Sequence, residues 1–218
     1  MQIFMMCQDY KKFWRNLELI NYNDMISNVC VFGINESVRA GKFPMAVDVD
    51  KCTSEVTKRT HSLANAPRGT GHDNLLKGMV VQFDLKMTVK MSTELERYHF
   101  IDFVSSQSTM HKITQFDLDE AYIDYVDKRV IEIMKEKVAE YNAIEDKASE
   151  QAKEKYLEVL YTNPCGMQLT ARMTTNYQQL KTMYYQRKTH RLPEWKAFCK
   201  WIESLPHAEF IINERTVE

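Results

Sequence analysis

Several absences narrow this 218-residue sequence before any motif is sought. There is no charge imbalance. Its 29 Lys and Arg against 30 Asp and Glu leave a net charge of -1, so nothing general draws it to nucleic acid or to an anionic membrane. There is no cysteine pairing pattern. Cys7, Cys30, Cys52, Cys165 and Cys199 are odd in number and scattered, without a C-x-x-C. Neither a zinc site nor a disulfide framework is indicated, and the expectation is reduced thiols in a cytoplasmic protein. There is no apolar run of transmembrane length, and the opening MQIFMMCQDYKKFW turns charged too soon for a signal peptide. No internal repeat or low-complexity linker divides the chain, so one domain over residues 1–218 is expected.

What is present reads as an ordinary globular protein, 44% apolar and 27% charged, long enough to bury a core. Thirteen methionines point to an adaptable interior. Residues 1–36 alternate short apolar runs with polar breaks and receive no assignment, although Val29–Phe32 is an apolar run that Gly33 interrupts. Residues 37–50 read as a loop containing Gly41 and Pro44. A helix is expected over 50–66, with Val56, Leu63 and Ala66 on one face and Pro67 ending it. From Val81 the sequence alternates, with Val81, Phe83, Leu85, Met87 and Val89 pointing one way. That pattern predicts a half-buried strand over 79–90 in an antiparallel sheet, followed by a short helix over 91–100.

The helical signal is strongest from Asp117 to about Leu160, where apolar residues recur at three and four from Ile123 to Ile144. The charged segment Glu145–Lys155 reads as a solvated face at a break between two helices. Asn163-Pro164-Cys165-Gly166 is punctuation. A further helix is expected over 169–188. In it Asn176, Leu180, Met183 or Tyr184, and Arg187 would share a face, its polar ends roughly 16 Å apart. A long ligand lying along the helix, and an Asn cap with an interfacial Arg, both account for that pattern. Pro193 opens another helix with Trp195, Phe198, Cys199 and Ile202 inward, and Glu209–Asn213 reads as a final strand. The class is α+β, an antiparallel sheet with long helices.

Two stretches carry the polar chemistry. Tyr98–Lys112, YHFIDFVSSQSTMHK, collects uncharged polar groups that helix interiors rarely hold and that suit a binding loop or a solvated one. Pro67–Asn74 sets two glycines beside Arg68 and His72, but its spacing fits neither a P-loop nor a dinucleotide fingerprint, and an ordinary turn accounts for it. Ser108 has no evident base beside it in sequence, so no serine nucleophile is assigned.

Taken in order, these pieces resemble the flavin-dependent thymidylate synthases. That family has a Gly-His-Glu-type segment before its central strand, then an Arg-His-Arg signature with a Ser after seven residues. A Leu-Pro element follows, then a helical Asn with an Arg eleven residues later. Here Gly71-His72-Asp73 precedes the strand, Tyr98-His99-Phe100 stands at the signature, and Gln107-Ser108 follows. Asn163-Pro164 lies twelve residues before Asn176, and Arg187 has the expected spacing. The similarity spans about residues 55–205, and Ser108–Lys112 looks like a divergent, phage-type branch. Both signature arginines are replaced, by Tyr98 and Phe100, with Arg97 one position away. Two further family arginines fall at Met110 and Leu160.

The resemblance implies that His72, His99 and Asn176 lie on FAD, while Gln107, Ser108 and Arg187 hold a pyrimidine nucleotide. It implies reductive methylation of dUMP to dTMP with methylenetetrahydrofolate and NADPH as co-substrates, in a homo-oligomer that in the family is a tetramer. Two other readings stay beside it: a nucleotide- or flavin-binding protein that has lost catalysis on the same scaffold, and a helical oligomer without a small ligand.

Overall fold

The computed structural model describes residues 20–213. Four strands form an antiparallel sheet in the order β1-β2-β4-β3: β1 Ile26–Phe32, β2 Val80–Thr88, β3 Asp102–Ser106 and β4 Gln168–Asn176. Main-chain bonds from Val89 N to Met167 O (2.9 Å) and from Tyr177 N to Met79 O (3.0 Å) fix the register of β2 against β4 at their two ends. The chain divides into two compact units. Among the described residues the first takes 20–84, Tyr98–Asp102 and 173–213; the second takes Leu85–Arg97 and Phe103–Arg172.

In the first unit Gly33, in the left-handed region at φ 73°, opens helix α1 (Ile34–Ala40), whose residues 37–40 were expected to be loop. Helix α2 (Lys58–Ala64) is shorter than the predicted 50–66. Thr57 and Thr60 form a reciprocal capping box that starts it, and residues 53–56 are outside any helix or strand. Helix α6 (Tyr177–Arg187) and helix α7 (Pro193–Glu203) complete the unit. The inward set predicted for α7 is buried, and Trp195, Phe198 and Trp201 pack with Phe83 of β2, the closest ring pair being Phe83–Trp201 at 4.4 Å. The expected final strand is instead one helical turn, Glu209–Ile212. Adjacent Phe210 and Ile211 are both buried, which a strand with one covered face does not allow.

The second unit contains α3 (Val89–Leu95), α4 (Lys128–Ala143) and α5 (Glu150–Thr162). Helix α4 begins at Lys128 because the Asp127 carboxylate caps Arg129 N at 2.9 Å. Ile131 and Met134 of α4 and Val159 of α5 share a core with Ile113, Leu118, Tyr122 and Met167. Of the charged segment Glu145–Lys155, expected on a solvated face, Lys155 joins a ladder with Lys137, Glu140 and Glu158 between these helices. Lys155 Nζ lies 3.0 Å from Glu140 and 3.2 Å from Glu158, and Lys137 Nζ lies 3.0 Å from Glu158.

The helix expected over 169–188 is the main departure. Residues 168–176 are strand β4, with Ala171, Met173 and Thr175 buried alternately, and the helix begins only at Tyr177. Thr170, Thr174 and Thr175 are β-branched, and the period of two outweighs a partial match to helical spacing. Asn176 is therefore not within a helix. It is the N-cap of α6, its Oδ1 accepting from Gln179 N at 2.9 Å.

Candidate functional site

In the first unit four of the sequence-predicted residues are tied to the β4–α6 segment. Asn176 caps α6, and Arg187 is its last residue. His72 is tied through its neighbour. The buried Asp73 accepts from Gln178 Nε2 (2.9 Å) and from Lys181 Nζ (3.2 Å), both on α6. Lys181 Nζ also donates to the carbonyls of Ala64 (2.9 Å) and Ala66 (2.5 Å), just before the loop. Loop 67–74 is thus pinned at both ends by one buried ammonium, while Gly69 and Gly71 take positive φ between the pins. His99 is tied from both sides. Tyr98 Oη accepts from Arg187 Nε at 2.6 Å, and the carbonyl of Phe100 accepts from Thr175 Oγ1 of β4 at 2.8 Å.

Among the described residues, the imidazoles of His72 and His99 have no hydrogen-bond partner in the protein. His72 lines a cleft of about 390 Å³ with Arg59, Asn74 and Gly71, against apolar Ala40, Pro44, Leu63 and Leu75. Among the described residues no carboxylate lines it. The side chains of Arg59, His72 and Asn74 have no hydrogen-bond partner among the described residues, and a Cβ at Gly71 would meet nothing within 4 Å. This donor set fits an anionic, phosphate-bearing group with an apolar portion.

Gln107 and Ser108 belong to the second unit. Gln107 is held at two points, its N donating to Thr170 O (3.0 Å) and its Oε1 accepting from Thr170 N (2.8 Å). It continues the β3–β4 ladder with a side chain in place of a carbonyl. Ser108 follows at the N-cap of the turn Thr109–Lys112, and its hydroxyl makes no capping bond. A held Gln followed by an uncommitted Ser hydroxyl is a workable contact pair for a polar ligand.

Sequence reasoning gave no site role to Arg59, Tyr98, Trp195 or the Asp73–Lys181 pair. Lys181 did leave a signal, a cation on the apolar side of a helix beside Leu180 and Met183. The bond of Arg187 to Tyr98 left none, because the two are 89 residues apart. Arg97, adjacent to the altered signature, has no hydrogen bond or ion pair among the described residues; it is Tyr98 that meets Arg187. Those residues also contain no group of His, Cys, Asp and Glu placed to hold a metal, and no helix long and apolar enough to cross a membrane.

No protein-family profile matches the sequence, and no curated protein matches it. Solved structures do. The flavin dependent thymidylate synthase ThyX from Helicobacter pylori complexed with FAD and dUMP superposes at a TM-score of 0.62 and 14% identity. The match covers 86% of this chain and 99% of that one. A second structure of the Helicobacter pylori enzyme with FAD and dUMP gives 0.64 and 14%, over 85% and 97%. The chain has the fold of these thymidylate synthases, a mixed assembly of helices with an antiparallel four-stranded sheet.

Proposed function

We propose that this protein is a flavin-dependent methyltransferase of the thymidylate synthase type, from a divergent, phage-type branch. The reaction is reductive methylation of dUMP to dTMP, or of a closely related pyrimidine nucleotide, with methylenetetrahydrofolate and NADPH as co-substrates. One observation supports it above the others: His72, His99, Asn176 and Arg187 are all tied to one strand–helix segment, in the fold of enzymes solved with FAD and dUMP.

In this reading His72, His99 and Asn176 hold the flavin, with Arg59 and Asn74 beside His72 in the cleft. FAD supplies the hydride chemistry when bound. The protein's own part is to position and to exclude water. Gln107, Ser108 and Arg187 are the residues this reading assigns to the nucleotide. The chain acts as one domain over residues 1–218, in the cytoplasm, as a homo-oligomer, specifically a tetramer. Exposed apolar residues on the edge strands, Val29 and Phe32 on β1 and Phe103 and Val104 on β3, support self-association.

A second reading, a nucleotide- or flavin-binding protein without turnover, is favoured by the replaced signature arginines. The two separate in one assay. Purified protein with FAD, dUMP, methylenetetrahydrofolate and NADPH forms dTMP under the first reading, and the gene rescues a thymidine-requiring strain. Binding without product, and no rescue, leaves the second.

A further inference from the structure

The guanidinium of Arg187 is held on more than one side. Its Nε donates to Tyr98 Oη at 2.6 Å, and its Cζ lies 5.2 Å from the Tyr98 ring centroid and 4.6 Å from that of Trp195. The two rings meet edge to face at 6.1 Å. Trp195 is fully buried and backed by Phe198 at 5.7 Å, so that wall of the cage is fixed by the core. Tyr98 is the other wall, and the backbone beside it is strained. Phe100 takes φ 62°, a left-handed conformation that is costly for a bulky residue. Burial of its own ring does not offset that cost, because Phe100 is 72% exposed. The hydrogen bond from Thr175 to its carbonyl holds the turn that presents Tyr98 to Arg187.

We infer that Tyr98 is a positioning residue that sets the plane of Arg187 for the pyrimidine nucleotide, and that it replaces the missing signature cation rather than merely marking its loss. The inference rests on the function proposed above for the ligand, but not for the contact. A second arginine at position 98 would set like charges together at this site. A phenol instead supplies an acceptor for Nε and a π face for the cation. A planar guanidinium keeps its value in bidentate recognition only while its orientation is fixed.

The test uses the full chain and two variants, Tyr98→Phe and Tyr98→Arg, with dUMP affinity and FAD uptake measured separately. Tyr98→Phe keeps the ring and removes the acceptor, so dUMP binding should weaken about tenfold, the scale of a lost bond to a charged group, with FAD uptake within about twofold of wild type. Tyr98→Arg should bind dUMP more weakly still. Wild-type dUMP affinity in Tyr98→Phe, equal losses of both ligands, or tighter dUMP binding in Tyr98→Arg would each overturn the inference. A double-mutant cycle of Tyr98→Phe with Arg187→Gln, read by unfolding without ligand, separates this from the function proposal. Non-additive losses support the contact even if wild type binds no dUMP, and additive losses overturn it.

Discussion

Replacing Lys181 with Met should be among the most damaging single changes in the first unit, for reasons that can be counted. The Lys181 and Asp73 side chains are 0% and 1% exposed, and the ammonium has three acceptors: Ala64 O, Ala66 O and Asp73 Oδ2. Methionine fills similar space but leaves the carboxylate buried with only the Gln178 amide. Breaking a buried pair from one side costs about 3–5 kcal/mol. At about 2–4 °C per kcal/mol for a chain of this size, melting should fall by about 6–20 °C. Asp73→Asn leaves Lys181 its two carbonyls and should cost less, about 1–3 kcal/mol. The double variant removes both charges and should lose less than the two single losses combined, by about 1 kcal/mol or more. Urea unfolding of the four proteins measures this directly. A loss under about 1 kcal/mol for Lys181→Met, or strict additivity, would refute the claim that this pair anchors the His72 loop.

Two further outcomes follow from groups away from the proposed ligands. Burial, with Glu203 adding to it, pushes the Cys199 thiol up to about 12, and burial together with the bond to Glu203 takes Tyr184 to about 12. Both groups hold their protons more tightly when folded. Their contribution is therefore complete below pH 9 and is lost as pH rises from 9 through 12, on the order of 4 kcal/mol for Cys199. Circular dichroism against pH should show this alkaline limb, and it should be shallower in Cys199→Ala; an unchanged limb would count against the assignment. Gly33→Ala should destabilise by more than about 1 kcal/mol, since φ is 73° and the added Cβ would lie 2.5 Å from Gly78 O. Thermal melting checks it, and a neutral result would mean that the turn entering α1 is not held as described.

The sequence made some elements legible and hid others for identifiable reasons. Val81, Phe83, Leu85 and Met87 alternate without exception, and strand β2 is where that pattern places it. The inward set of α7 was equally readable, because four apolar residues behind a proline admit one arrangement. β4 was misread because Leu169 and Met173 happen to fall on the helical spacing of Asn176, Leu180 and Arg187. The alternation of Ala171, Met173 and Thr175 was the better signal. Within the candidate site, the residue types at 72, 99, 107, 108, 176 and 187 could be chosen by spacing and resemblance. Their ties could not. Asp73–Lys181 and Tyr98–Arg187 join positions 108 and 89 residues apart, and no local rule reaches so far.

Flavin binding with and without dUMP, measured on wild type and on His99→Ala, decides whether the chain binds a flavin and a pyrimidine nucleotide. Wild type should take up FAD and turn yellow, dUMP should change its FAD affinity, and FAD should change dUMP affinity by the same factor. His99→Ala should bind FAD at least about tenfold more weakly while melting close to wild type, because His99 is exposed and has no partner among the described residues. Colourless wild-type protein that ignores FAD both with and without dUMP would rule out a flavin-dependent activity.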